Sequence, residues 1–231
     1  EDQFKRLIDC LKKQTMEVEY HFYCHERVPF LEEIIKGTMW YIHYESGDPG
    51  MLRNEFLSKM VYKSELSKPA RYIAFLDGDD EIEPAYFEKL YSHGILVDAD
   101  LVIGNPVLYY DENRIYPSRW FDGIQRNNEY VQVSAVSDSI GGQAWGKLYS
   151  TSMFERYGVG YLSFGTGMFE DVPFWVKVSI ACGSVVFCDA KYIWHRDNPS
   201  AITRNLNSFE SIKNGLENLR VAYSTVRNYF G

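Results

Sequence analysis

The sequence has few cysteines, no long hydrophobic run and no excess of basic residues, and each absence excludes a class of protein. Its four cysteines, Cys10, Cys24, Cys182 and Cys188, form no CxxC pair and no zinc-ligand spacing, so we expect reduced, buried thiols. No apolar run approaches the roughly 18 residues that a membrane helix needs. The 24 basic residues are outnumbered by 32 acidic ones, which argues against nucleic acid as the main partner.

Targeting and repeat signals are also missing. The first residues, EDQFKRL, do not form a signal peptide, and we find no internal repeat, low-complexity segment or P-loop motif. The expected location is the cytoplasm, with contact at the inner face of the membrane left open. The oligomeric state is not indicated by the sequence.

Strand-like and helix-like patterns alternate along the chain. Strand patterns cover 18–24, 38–44, 72–76, 99–105 and 184–194. Helical periodicity covers 4–14, 28–36, 51–66, 151–158, 170–183 and 208–230. This alternation predicts a single α/β domain with a central, mostly parallel sheet covered by helices on both faces. The fully apolar strand 72–76 is expected at the middle of that sheet.

A dense acidic cluster follows that apolar strand. Asp77, Asp79, Asp80 and Glu81 fall within five positions, at the sheet edge where α/β proteins bind ligands. A divalent cation there would offset the repulsion between the carboxylates, and Mg²⁺ or Mn²⁺ prefers such oxygen ligands. The alternative is a solvated acidic turn that caps the following helix.

Seven segments then appear in a fixed order: CLKKQT, GMLRNEFL, YIAFLDGDDEIEPAYFEKLY, ADLVIGN, AWGKLYSTSMFE, FEDVPFWVKV and YIWHRDNPSAIT. In this order they resemble the family 2 inverting glycosyltransferases of the GT-A fold, in particular the bacterial polysaccharide and lipopolysaccharide enzymes. The resemblance implies a GT-A-like transferase domain over 1–205 and a helical tail over 206–231 that packs on it. It also implies a nucleotide-sugar donor, a UDP-sugar by the family pattern, and a saccharide or lipid-linked acceptor.

The family motifs carry over to particular residues for the donor and the metal. The aspartate motif implies that Asp77 contacts the nucleoside, that Asp79 holds Mn²⁺ or Mg²⁺ on the donor diphosphate, and that Asp80 supports them. The match of Arg53 and Asn54 to the family's ARN motif implies that both lie near the nucleotide.

Other motifs imply the catalytic and acceptor residues. Glu170 and Asp171 match the family's ED pair at a helix start, where Asp171 would be the catalytic base. Without the resemblance, an acid at that position reads as a first-turn residue of the helix.

The last set of residues lies near the donor and acceptor in the family. Trp145 would stack on the acceptor sugar, although a core aromatic fits equally well. Lys147 and Arg196 would contact the donor phosphates. His195 is a candidate third metal ligand, with a structural histidine as the alternative. The glycine-rich segment 158–169 is either a mobile acceptor-side loop or a plain surface loop.

Two departures from the family pattern affect the nucleotide site. The family begins with an apolar strand, and this sequence starts at the helix after it, so we expect that strand to be absent. The next family strand ends in an aspartate that reads uracil, whereas here it ends in FYCHER, with Cys24 and His25 in that neighbourhood.

These departures keep other functions open. The first alternative is an inactive glycosyltransferase-like module that binds a nucleotide or a sugar. The second is a glycoside hydrolase, which also needs two carboxylates but no metal. A metal-dependent phosphotransferase is the third.

Overall fold

The computed structural model describes residues 2–62, 69–110, 114–117, 125–126, 142–158, 160–195 and 209–230. The helices are α1 (Asp2–Lys12), α2 (Pro29–Ile34), α3 (Pro49–Phe56), α4 (Tyr86–Val97), α5 (Thr151–Tyr157), α6 (Asp171–Ala181) and α7 (Phe209–Phe230), with a π-helical turn at Leu57–Tyr62. The strands are β1 (Tyr20–Cys24), β2 (Trp40–Tyr44), β3 (Tyr72–Ala74), β4 (Glu81–Ile82), β5 (Leu101–Tyr110), β6 (Arg114–Pro117), β7 (Gln125–Arg126), β8 (Lys147–Ser150) and β9 (Val185–His195).

The strands form two sheets. β1 and β2 make a parallel pair, and the larger sheet has the order β3-β8-β5-β9-β4, with β6 beside β5 and β7 beside β9. Within the described residues, only the β1–β2 and β5–β9 ladders are parallel, while the other five are antiparallel. The prediction of a mostly parallel sheet is therefore wrong, and the sheet is mixed. Apolar runs identify strands, but they do not encode the direction in which neighbours run.

The position of β3 also differs from the expectation. It lies at one end of the described order of the larger sheet and pairs with β8, rather than in the middle. A further parallel bridge joins Phe75 to Trp145 just after its end. This bridge places the acidic cluster that follows β3 beside the segment that leads into β8.

Helices cover both faces of the larger sheet, as the sequence predicts. Alternate residues of a strand point to opposite faces, and β5 follows this rule. Leu101 and Ile103 pack in one hydrophobic cluster with residues of α5 and α6, whereas Val102 packs in the other with residues of α1 and α4. These two hydrophobic clusters pack on opposite faces of the sheet and so hold the site at its edge in place.

The C-terminal helix α7 packs on α6. In the part of the chain that the structure describes, no helix combines the length and apolar content that crossing a membrane requires. All four cysteines are free thiols, as expected; Cys182 and Cys188 are buried, whereas Cys10 and Cys24 are only half-buried.

Candidate active site

A cleft of about 1640 Å³ opens where β3 ends. The charged residues that line it include Arg53, Asp77, Asp79, Glu170 and Asp171. Asp77 and Asp79 follow β3 at the edge of the sheet, as predicted, and both face this cleft. The volume exceeds the usual range for small-molecule sites, so it leaves room for a large donor and part of an acceptor.

Arg53 joins the acidic residues of this cleft. It lies in the last turn of α3, and its Nη2 donates to Asp77 Oδ1 over 2.7 Å. Its Nη1 donates to Glu170 Oε1 over 2.9 Å and to Asp171 Oδ1 over 2.7 Å. Only 11% of the Arg53 side chain is exposed, so these charge-assisted bonds form largely out of water. The guanidinium therefore ties the end of β3 to the start of α6.

The charges shift one another's proton affinities. Burial alone would lower the pKa of Arg53, but Asp171, Asp77 and Glu170 more than offset it and raise that pKa above its usual range. Burial and the neighbouring Asp171 raise the pKa of Glu170, while Arg53 opposes the rise. Burial also raises the pKa of Asp77 against the attraction of Arg53, although 35% of its side chain is exposed and water screens part of this effect.

Asp171 occupies the first turn of α6, as predicted, where the helix dipole favours a negative charge. Arg53 donates to its Oδ1, and the backbone N–H of Ala144 donates to its Oδ2 over 3.1 Å. Both oxygens are thus held in fixed positions by groups from two other parts of the chain. A carboxylate oxygen keeps a second lone pair, so each can still accept a proton from a substrate.

Asp80 supports the acidic turn from inside the protein. It is 2% exposed, and its two oxygens accept bonds from Tyr192 Oη (2.8 Å) and from the His195 backbone N–H (2.9 Å). Burial and the nearby Asp77 raise the pKa of Asp80 to about 8, against the effect of these two bonds. Asp80 therefore fixes the turn that presents Asp79.

His195, at the end of β9, lines the cleft but its ring is engaged elsewhere. Its Nε2 lies 2.8 Å from Glu81 Oε1, and Glu81 also accepts from Arg6 Nε over 3.1 Å. This arrangement favours the structural alternative over metal ligation. Arg196, predicted to contact phosphate, lies outside the described residues.

Carboxylates at the end of β3 are the candidate ligands for a metal ion. Within the described ranges, no group of three or more His, Cys, Asp or Glu side chains could hold a metal by itself. Asp77 Oδ1 accepts from Arg53, and the two oxygens of Asp80 accept from Tyr192 and His195, while Asp79 lines the same cleft. One carboxylate with phosphate oxygens and water fits Mg²⁺ or Mn²⁺.

Trp145 forms part of the cleft wall. It is 4% exposed and stacks on Tyr192 with ring centroids 4.6 Å apart and planes 7° apart. Its ring is therefore mainly a core aromatic that supports the cleft, as one of the two sequence alternatives held.

Lys147 does not reach the cleft, contrary to the prediction that it contacts phosphate. The residue is 1% exposed in β8, a strand whose four residues are all buried because both faces are covered. Its Nζ donates to Gln143 O over 2.6 Å and lies 4.7 Å from the Trp175 ring centroid. Burial lowers the pKa of Lys147 to about 7, with Asp171 opposing the shift.

The shifted pKa of Lys147 predicts a pH-dependent stability. Between about pH 7 and 10 the folded protein binds fewer protons here than the unfolded chain, so the free energy of unfolding rises with pH through this window. Lys147→Met should flatten that rise and stabilise the protein most at pH 7 and below. Denaturant titrations of both proteins at pH 6, 8 and 10 check this. An equal slope in the two proteins would show that the buried amine does not titrate there.

Asn54 does not line the cleft, although the family motif places it near the nucleotide. Its Nδ2 donates to Phe164 O over 3.1 Å, and its Oδ1 accepts from Phe164 N over 2.8 Å. The side chain therefore braces the glycine-rich segment 158–169. Within the described part of this segment, the backbone of Phe164 is bonded by Asn54 on both its N–H and its carbonyl.

Sequence reasoning missed Asp48 and Tyr192. Asp48 caps α3, with Oδ1 accepting from Met51 N over 2.9 Å, and Pro49 follows in the first turn. An aspartate before proline is a helix-start signal, so this role was readable. The Tyr192 hydroxyl, which also accepts from the Asp77 backbone N–H over 3.2 Å, carries no such local signal.

Solved structures with the same fold include proteins with a bound nucleotide or nucleotide-sugar. S. aureus TarS 1-349 in complex with UDP-GlcNAc superposes with a TM-score of 0.77 and 14% identity, over 100% of this chain and 64% of that one. GalNAc-T7 with UDP, GalNAc and Mn²⁺ gives a TM-score of 0.60 and 14% identity, over 99% and 47%. At this identity the likeness shows the fold, which is GT-A-like.

Sequence comparisons reach the same family. Glycosyltransferase GlyA of Streptococcus pneumoniae serotype 4 is 25% identical over 178 residues, which is 71% of this chain and 23% of GlyA. The chain therefore spans less than a quarter of that relative's length. The family model described as glycosyl transferase family 2 matches residues 41–158, just over half of the chain. The protein belongs to glycosyl transferase family 2.

Proposed function

We propose that this protein transfers a sugar from a UDP-sugar to a hydroxyl of a saccharide or lipid-linked acceptor, with inversion at the anomeric carbon and with Mn²⁺ or Mg²⁺ as cofactor. One observation carries the proposal: Arg53 ties the donor-side carboxylate Asp77 to Glu170 and Asp171 in a single cleft. Bound UDP-GlcNAc in TarS and bound UDP with Mn²⁺ in GalNAc-T7 support the choice of donor and ion.

In this proposal Asp171 is the general base. Its carboxylate takes the proton of the acceptor hydroxyl as the oxygen attacks the anomeric carbon from the face opposite the diphosphate. A single displacement of this kind inverts the configuration. The rigid start of α6 holds the base in place, which favours in-line attack.

Residues on the donor side of the cleft would stabilise the leaving diphosphate. Asp79 would hold the cation, which, when bound, neutralises charge on the departing diphosphate. Asp77 would contact the nucleoside. Within the proposal, 1–205 is the transferase domain and 206–231 is a helical tail on it, an arrangement supported by the packing of α7 on α6.

The test is UDP release from a panel of UDP-sugars by the complete gene product, with Mn²⁺ and with chelator. We expect release from at least one UDP-sugar, dependent on the ion and stimulated by a hydroxyl acceptor. Cleavage of a glycoside that chelator leaves unchanged would replace the proposal with a glycoside hydrolase.

A binding module is the second candidate, because Cys24 and His25 line the cleft where the family reads uracil with an aspartate. This candidate predicts binding of UDP or a UDP-sugar with no release of UDP under any of these conditions. Calorimetric titration of the same nucleotides separates it from a protein that binds no nucleotide.

Asp79→Asn should abolish the ion-dependent part of nucleotide binding and preserve the fold. The carboxamide keeps the shape of the side chain but removes the charge that a hard cation needs. Titration of UDP with and without Mn²⁺ measures the effect, and Asp9→Asn on the exposed face of α1 is the control. If the Asp79 variant gains as much affinity from Mn²⁺ as the parent does, Asp79 is not the ligand.

A further inference from the structure

The loop 165–170, which leads into the acid pair, is held by the C-terminal helix. We propose that Asn218 of α7 is a positioning residue for Asp171: it acts through this loop and touches no substrate. The catalytic meaning of the assignment rests on the proposed function, whereas the mechanical link stands on the contacts of the loop.

Asn218 is a buried amide with both of its N–H groups in use. It is 6% exposed, and its Nδ2 donates to Thr166 O over 2.9 Å and to Met168 O over 2.8 Å. An amide nitrogen has two hydrogens, so one side chain satisfies two loop carbonyls that would otherwise lack these donors. Loss of both bonds frees two carbonyls of a loop that is exposed at Thr166 and half-buried at Met168, which favours a shift of the loop toward water.

The loop and α7 are in close van der Waals contact. A Cβ on Gly165 would lie 2.0 Å from Asn218 Oδ1, so only glycine lets the backbone come this close to the amide. A Cβ on Gly215 would lie 2.5 Å from Met168 Cε, so the Met168 side chain likewise rests directly on the helix. A displacement of the Asn218 amide is therefore passed on to the loop backbone.

The opposite side of the loop is held by the start of α3. Asp48 Oδ2 accepts from Gly167 N over 2.9 Å, while its Oδ1 caps the helix that carries Arg53. The loop also closes on itself, because Gly165 N donates to Glu170 O over 2.8 Å. The loop is thus clamped between α3 and α7, and it ends at the residue before Asp171.

This geometry makes α7 part of the site although the family match ends at residue 158. An error of about 1 Å in the placement of a catalytic group costs on the order of a hundredfold in rate. Removal of the α7 side of the clamp should therefore lower turnover without removing any group that binds the donor.

The Ala144 amide is a reporter of Asp171 position that needs no substrate. Its N–H donates to Asp171 Oδ2, far from α7 along the chain. Hydrogen exchange of this amide is measured in Asn218→Leu, which has no donor, in Asn218→Ser, which keeps one, and in Asn228→Asp, an exposed control on the same helix. We expect exchange at Ala144 to rise about tenfold or more in the leucine variant, less in the serine variant and not in the control.

The exchange data also separate positioning from general loosening. Amides in the middle of α6, such as those of Val176 and Val178, should keep parental exchange in the serine variant. If Ala144 exchanges at the parental rate in either folded Asn218 variant, or if all of α6 loosens together with it, the positioning role is overturned. If the leucine variant does not fold, the serine variant alone provides the test.

Kinetics give a second readout. UDP release by Asn218→Ser at a temperature well below its unfolding midpoint should show kcat reduced about tenfold and the donor KM within about threefold. A parental kcat together with faster exchange at Ala144 would keep the mechanical link and contradict Asp171 as the base. A parental kcat with parental exchange would contradict the positioning role itself.

Discussion

Arg53→Met should lower the free energy of unfolding by about 3–5 kcal/mol and abolish turnover. The change removes the one guanidinium that bonds Asp77, Glu170 and Asp171, and it leaves three close, largely buried carboxylates without that partner. Breaking a buried ion pair from one side typically costs this much, because the remaining charge is uncompensated. Urea titrations monitored by circular dichroism, together with UDP release, measure both effects.

Two controls define what Arg53 contributes. Arg71→Met removes an exposed arginine paired with Asp98 and should change stability by less than about 1 kcal/mol. Arg53→Lys keeps the charge but loses the fork that spans three partners, so it should recover part of the stability and little of the activity. If Arg53→Met is as stable as the parent, the carboxylates are not held by this residue.

Asp171→Asn should lower kcat by roughly a hundred- to ten-thousandfold, the usual contribution of a positioned general base. The amide oxygen can still accept from Arg53, so donor binding should change little. The amide has only one acceptor oxygen, however, and its NH₂ group cannot accept, so the bond from Ala144 N is lost and some stability with it. Turnover is therefore measured well below the unfolding midpoint of the variant, with donor affinity determined by calorimetry.

Glu170→Gln is the matched comparison for Asp171→Asn. Both residues bond the same Nη1 of Arg53, so the two variants perturb the guanidinium in similar ways. We expect the glutamine variant to lose less activity. The reverse order would assign the base to Glu170, whose pKa is raised by burial. Near-normal turnover in both variants would show that neither residue is the base.

The sequence predicted the elements that depend on local patterns. The apolar run before the acidic cluster located the strand β3 and the cleft at its end. The acidic pair before a largely apolar stretch located the first turn of α6. Each of these signals lies within a few neighbouring residues, where side-chain type and backbone conformation are directly coupled.

Features that depend on long-range packing were not readable. Arg53 meets its partners across 24, 117 and 118 positions, and no spacing in one sequence indicates such a meeting. Lys147 resembles a surface charge until both faces of β8 are known to be covered. Asn218 stands in a helix whose burial pattern depends on a loop fifty residues earlier.

The most direct test of the proposed mechanism is a crystal of the complete gene product with Mn²⁺ and the UDP-sugar that it binds best. We expect an anomalous manganese peak bonded to Asp79 and to the diphosphate, with the anomeric carbon facing Asp171 across the cleft. A manganese peak away from Asp79, or a nucleotide bound outside the cleft that Arg53 and the acid pair line, would contradict it.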